Sequence, residues 1–183
     1  MASTIQEIAG YLKEAGIVYR IENNDSLICL DYPTKKYRNE NQEHILYLEI
    51  ALEEDGRFFT LTVPRCYNYR ELPFKDLLLK VLLIVSLLTK MIQFQFDKMS
   101  GYIRAVIEFP VEDASLTRRQ VLRCLYDLAD QLDDYHDMIS SAANKDVLVL
   151  PSEGEEQIRD LFHEMYEDIL TFEKEIQEKK PGV

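Results

Sequence analysis

The stretch HILYLEIALEEDGRFFTLTV, residues 44–63, indicates the fold most clearly. Two runs rich in β-forming apolar residues flank Glu53-Glu54-Asp55-Gly56. Such runs are typical of partly buried strands, and Asp-Gly tolerates the positive φ that tight hairpin turns need. The segment therefore predicts an antiparallel hairpin of strands 44–52 and 58–63, with Pro64 ending the second strand.

Two more hairpins are predicted on either side of this one. The first joins strands 18–22 and 26–30 through the turn-prone triplet Asn23-Asn24-Asp25, and the polar segment 31–43 follows it as a loop. The second joins strands 92–96 and 102–109 through a turn at 97–101, and Pro110 closes it. Six strands in three hairpins favour one antiparallel sheet.

Four segments carry helical signals. The first is 4–15, with Ser3 or Thr4 as its N-cap, and the second is 73–89, which begins at Pro73. The third is 116–142, with Ser115 as its N-cap, and the fourth is 153–178, with a Ser152–Glu155 capping box. The third and fourth have apolar seams that step by four and three residues. These seams run through Val121, Leu125, Leu128, Leu132, Tyr135 and Ile139, and through Ile158, Phe162, Met165, Ile169, Phe172 and Ile176. Such seams are typical of packed helix pairs, so we expect helix 153–178 beside helix 116–142.

The helix at 73–89 is apolar around nearly its whole circumference. A helix of this kind is buried on more than one side. One sheet cannot cover all of it, so the pattern predicts a homodimer.

Together these elements predict an α+β fold, with one twisted antiparallel sheet flanked by helices. We expect residues 1–150 to form the main domain. Residues 151–183 are expected to form an amphipathic helix and a tail packed on that same domain.

The charge of the chain is strongly negative and unevenly placed. The net charge is −12, and residues 127–183 contain 16 acidic but only 5 basic residues. This distribution disfavours nucleic acid and anionic membranes, which attract basic surfaces, and it is suited to steering a basic partner. The alternative is a solvated helix face that maintains solubility. No stretch predicts a membrane span or signal peptide, so we expect a cytoplasmic protein.

Motifs for catalysis are missing from the sequence. There is no Gly-rich phosphate loop, and the three cysteines are dispersed and form no C-x-x-C. Asp133-x-x-His136 and Asp160-x-x-His163 have the spacing of helical metal ligands, but acidic neighbours favour a solvated face for the first pair. We therefore expect no metal, no cofactor and no enzyme activity.

The segment Arg65-Cys-Tyr-Asn-Tyr-Arg70 interleaves basic and aromatic residues. It is interpreted first as an ordered strand-to-helix loop. Peptide docking is the leading functional alternative, ahead of stacking with single-stranded nucleic acid. Tyr67, Tyr69 and Arg70 are the candidate partner-binding residues, because Tyr and Arg are enriched at interface hot spots.

The element order and one stretch resemble the YbjN-like family of the type III secretion chaperone-like superfamily. The stretch comprises Leu87-Leu-Thr-Lys-Met91, Gln93-Phe-Gln-Phe-Asp97, Gly101-Tyr-Ile-Arg-Ala-Val-Ile-Glu-Phe-Pro110 and Leu116-Thr117. The resemblance covers roughly residues 3–142. It implies a small, acidic, dimeric protein that holds a segment of a client on hydrophobic patches, and it offers no catalytic residues. The extra helix at 153–178 and the additional N-terminal strands depart from the family plan.

The expected function is that of a non-catalytic chaperone-like or adaptor protein that holds a segment of a partner protein. The alternative is a regulator that senses a small molecule in a pocket between the sheet and a helix. A long exposed apolar groove favours the first, and an enclosed pocket with a few polar groups favours the second.

Overall fold

The computed structural model describes residues 3–112 and 114–150, together with 160, 163, 164, 167, 168 and 171. The fold is α+β, as predicted, with a six-stranded antiparallel sheet in the order β1-β2-β3-β4-β6-β5. The strands are β1 Arg20–Glu22, β2 Leu27–Pro33, β3 Ile45–Glu53, β4 Phe58–Tyr67, β5 Gln93–Phe96 and β6 Ile103–Pro110. The helices are α1 Ile5–Glu14, α2 Lys75–Leu88, α3 Arg118–Asp134 and α4 His136–Lys145.

All three predicted hairpins are present. Asn23, Asn24 and Asp25 adopt positive φ between β1 and β2, and so do Asp55 and Gly56 between β3 and β4. The residue types that tolerate a positive φ therefore occupy the turn positions that require it.

Two predicted strand ends are wrong. Strand β2 continues through Asp31 to Pro33, and β4 continues through Pro64 to Tyr67. The pairing of β4 with β6 is interrupted between Val63 and Tyr67. A proline lacks the N–H that a regular ladder needs, but an irregular stretch tolerates it. Segment 65–71 is consequently part strand and part loop.

One face of the sheet forms the main core. Its alternate residues pack with α1 and α3, and the register places them side by side across the strands. They include Ile28, Leu30, Leu48, Ile50, Phe59, Leu61, Ala105 and Ile107. The other face exposes polar and charged side chains in part, among them Glu49, Thr60 and Arg104.

A second core joins α2 to α4. Leu78, Val81 and Ile84 of α2 are fully buried together with Ile139 and Ala142 of α4. Ile103, at the start of β6, belongs to the same cluster and connects it to the sheet.

The predicted helix 116–142 is divided into two helices. It breaks at Tyr135, after which α4 packs on α2. The burial predicted for the seam is confirmed at all six residues, but its α3 part faces the sheet and α1, and its α4 part faces α2.

The predicted N-cap Ser115 is wrong. Thr117 caps α3, with its hydroxyl accepting from the Gln120 N–H while the Gln120 side chain accepts from the Thr117 N–H at 2.9 Å. Thr117-x-x-Gln120 satisfies both donors of a capping box, whereas the third residue after Ser115 is Arg118.

The start of α1 is fixed by both predicted residues. Thr4 is the N-cap and forms a capping box with Glu7. Ser3 is not the cap; its hydroxyl accepts from the Leu116 N–H at 2.7 Å. This contact ties the N-terminal helix to the start of α3.

The predicted last helix lies mostly outside the described residues. Its six described positions, 160, 163, 164, 167, 168 and 171, are helical and exposed. The capping box, the apolar seam and the tail lie outside them, and so does the proposed packing of residues 151–183. Among the described residues, no helix has the length and apolarity needed to cross a membrane.

Candidate protein-binding surface

Tyr69 is half-buried against the second core and lies beside two exposed apolar side chains at the β5–β6 turn. Its ring lies 4.9 Å from the ring of Phe96, centroid to centroid. Phe96 is 51% exposed and Met99, in the turn, is 89% exposed. We call Tyr69, Phe96 and Met99 the turn patch. Exposed apolar side chains that are close together mark interaction sites more often than isolated ones do.

Arg70 fixes the turn to the segment that precedes α2. Its Nη2 donates to the carbonyls of Lys98 and Met99, both at 3.2 Å. Gly101 lies against it, and a Cβ added there would collide with the Arg70 side chain. Arg70 therefore positions the patch and also places a cation at its edge.

Tyr67 is half-buried and is not part of the turn patch. Its hydroxyl is buried, and its ring packs edge-on against Tyr37 at 6.2 Å. Burial raises the pKa of this phenol well above its ordinary value. Of the three candidate residues, the structure thus brings Tyr69 and Arg70 together and separates Tyr67 from them.

Basic residues surround the turn patch. The Lys75 ammonium lies 5.3 Å from the centre of the Tyr69 ring, within the range of a cation–π contact. Arg70 and the exposed Lys98 are the other two cations. The acidic residues Glu71, Asp76 and Asp97 adjoin these cations along the chain, so the charge around the patch is mixed, and the cations offer pairing sites for carboxylates of a bound segment.

The outward face of α2 continues the apolar surface. Leu79, Leu83 and Leu87 are 40%, 69% and 63% exposed, although the rest of the helix is largely buried. Residues four apart form one row on a helix, and Lys75 heads this row next to Tyr69. We call Leu79, Leu83 and Leu87 the outer row of α2. The described residues therefore leave one side of α2 uncovered, and the polar Asp76, Lys80 and Ser86 lie on this same side.

Asp133, which the sequence offered as a possible metal ligand, accepts hydrogen bonds from the backbone of a distant loop. Its Oδ1 accepts from the N–H groups of Lys35, Lys36 and Tyr37, at 3.0, 2.7 and 2.7 Å. Burial alone would raise the pKa of this carboxyl, but these backbone donors hold it below the ordinary value. The described residues contain no group of three or more potential metal ligands.

The cysteines lack the features of a nucleophile. Cys29, Cys66 and Cys124 are all buried and unpaired. Burial raises the pKa of each thiol, that of Cys124 to about 11. The reactive form is the thiolate, so these thiols are weak nucleophiles at neutral pH.

Sequence reasoning missed Phe96, Met99 and the outer row of α2. A methionine within the polar turn DKMSG was the available signal for the patch, because a buried role is improbable at a hairpin tip. For α2 the signal was the placement of its polar residues, since Lys75, Asp76, Lys80 and Ser86 lie on the same side of the helix as the three exposed leucines.

In comparisons with known proteins, the chain matches no family model and no curated protein.

Proposed function

We propose that this protein is a non-catalytic, chaperone-like adaptor that holds a segment of a partner protein on the turn patch. The observation that carries the proposal is the exposure of Phe96 and Met99 beside Tyr69, on a turn that Arg70 fixes in place. A preformed apolar surface on a rigid turn binds an extended segment with little ordering cost on the protein's side.

The favoured partner segment is apolar and carries some carboxylates, whereas the net charge of the chain suggested a basic partner. Its apolar side chains pack on the patch, and its carboxylates face Arg70, Lys75 and Lys98. The charges of these three residues raise the association rate more than the affinity, so added salt slows binding.

The outer row of α2 supports self-association as a homodimer. Three leucines in one row give a second copy a helix face to pack on, as the all-round apolar pattern of α2 suggested. The proposed location is the cytoplasm, where reduced, buried cysteines are stable.

The test compares the sets of proteins that three matched baits capture from extracts of the native cell. The baits are the wild type, Phe96→Ser/Met99→Ser, and Val18→Ser, whose valine is 84% exposed at the far end of the fold. We expect a defined set of proteins on the wild type and the Val18 variant that the patch variant loses. An identical set on all three baits overturns the patch as the binding site.

A further inference from the structure

A cleft of about 340 Å³ lies between the 38–42 loop, the end of β4 and α4. Helix α4 contributes His136, Ser140, Ala143 and Asn144 to it, at the i, i+4, i+7 and i+8 positions of one helix face. We call it the α4 cleft. Its volume is at the lower end of the roughly 300–1,000 Å³ range of ligand pockets.

Two buried polar atoms without a hydrogen bond belong to residues that line this cleft. They are the hydroxyl oxygen of Tyr67 and Nδ1 of His136, and only one other such side-chain atom, in Thr89, exists among the described residues. The side-chain groups that act on the Tyr67 hydroxyl are the weakly polar thiol of Cys66 and the hydroxyl of Tyr37. Unpaired buried polar groups are rare because each is costly, so two in one cleft indicate a ligand that pairs with them.

Tyr37 holds both of these side chains in place. Its ring lies 5.4 Å from that of His136 and 6.2 Å from that of Tyr67, and both contacts are edge-on. Its own hydroxyl donates to the Cys66 carbonyl at 3.0 Å. The two polar groups are therefore fixed before any ligand arrives.

The charge in the cleft favours an anion. Among the described residues that line it, Arg38 is the only charged one apart from the ionisable His136, and none carries a carboxylate. The nearest acids to His136 are Asp133, which caps the backbone of residues 35–37, and the exposed Asp137. Leu72 and Ala143 add a small apolar surface.

We propose that the α4 cleft binds a small molecule that carries a carboxylate and a short apolar group. The carboxylate accepts from the Tyr67 hydroxyl, from His136 and from the Arg38 guanidinium, while the apolar group packs on Leu72 and Ala143. An anion here selects the histidine tautomer with its proton on Nδ1. Entry requires movement of Arg38, an exposed side chain held by one hydrogen bond to the Gln42 carbonyl at 3.1 Å.

The test is an NMR titration of the full chain at pH 7, with the Ala143 methyl group and the His136 ring as reporters. The probes are butyrate and benzoate, with butyramide and benzamide as their uncharged counterparts. We expect saturable shifts with the carboxylates and at least about tenfold weaker binding of the amides, because charge-assisted hydrogen bonds are the stronger ones. Shifts that never saturate, or equal binding of acids and amides, overturn the proposal.

Two pairs of variants assign the binding groups. Arg38→Gln and Tyr67→Phe are each expected to weaken butyrate binding about tenfold or more, whereas the exposed controls Arg119→Gln and Tyr126→Phe leave it unchanged. A blocked dipeptide amide with one glutamate tests a protein side chain as the source of the carboxylate. Tighter binding of this peptide than of butyrate would assign the cleft to a protein client and overturn the small-molecule proposal.

Discussion

Asp133 is the residue that ties the 34–37 segment to the end of α3, and it does so through backbone donors alone. Lys35, Lys36 and Tyr37 all direct their N–H groups at this one carboxylate. Tyr37 in turn supports both His136 and Tyr67. The i, i+3 spacing of Asp133 and His136 assumed one continuous helix, whereas α3 ends at Asp134 and α4 begins at His136, and the spacing could not show that the backbone of a distant loop would use the Asp133 carboxylate.

We expect Asp133→Ala to lower the free energy of unfolding by about 2 kcal/mol, because three donors lose a charged acceptor. The measurement is urea unfolding at pH 7. The neighbouring exposed Asp134 provides the control, and Asp134→Ala is expected to stay within about 0.5 kcal/mol of the wild type. Equal stability of the Asp133 variant and the wild type would contradict the role given to this carboxylate.

The same contact has a predicted pH dependence. The pKa of Asp133 is lower in the folded protein than its ordinary value of 3.8. Its stabilising effect is therefore complete above the unfolded-state pKa and is lost as the pH falls through the folded-state pKa. The stability gap between wild type and Asp133→Ala should narrow below about pH 4. A gap that stays constant under acid conditions, as long as both proteins remain folded, would show that the carboxylate's charge contributes nothing.

At the scale of elements, periodicity predicted which residues are buried better than it predicted where elements end. The seam from Val121 to Ile139 is buried throughout, yet no Gly or Pro marks the break at Tyr135. That break follows from tertiary packing, because the α4 part of the seam lies on α2 and the α3 part on the sheet. For α2, by contrast, the exposed side could have been predicted, because Asp76, Lys80 and Ser86 lie on it.

Adjacent leucines in α2 should respond very differently to truncation. Leu82 is 3% exposed and Leu83 is 69% exposed. Leu82→Ala is expected to cost about 2–5 kcal/mol in the free energy of unfolding, whereas Leu83→Ala should cost less than about 0.5 kcal/mol in the monomer. Urea midpoints measured at a dilution that disfavours association test this. Similar losses for both variants would mean that the outer row is not a free surface.

The apolar seam of the last helix remains a prediction. The described positions of this helix, such as Glu164 and Asp168, are exposed and polar. Phe162→Ala and Ile169→Ala should each cost about 2–5 kcal/mol if the seam packs on the domain, whereas Glu164→Ala should not. Urea midpoints equal to the wild-type value for both seam variants would show that the helix does not pack there.

On the scale of the whole molecule, we propose that the turn patch binds a client and that the outer row of α2 binds a second copy of the chain. Light scattering at micromolar concentration should give a particle of twice the 21.5 kDa chain mass. The double variant Leu83→Glu/Leu87→Glu should halve the measured particle mass, because a charge buried in a dimer interface without a partner is costly. A wild-type particle of 21.5 kDa would contradict the dimer and leave the patch proposal intact.

The central claim, that the turn patch holds a segment of another protein, is tested most directly by site-specific photocrosslinking in the native cell. A photoreactive phenylalanine analogue replaces Phe96 in one strain and the exposed Val18 in another. We predict that the probe at Phe96 forms discrete adducts with an identifiable second protein and that the probe at Val18 does not. No adducts from Phe96 beyond those seen from Val18, or adducts only with further copies of this chain, would contradict the account.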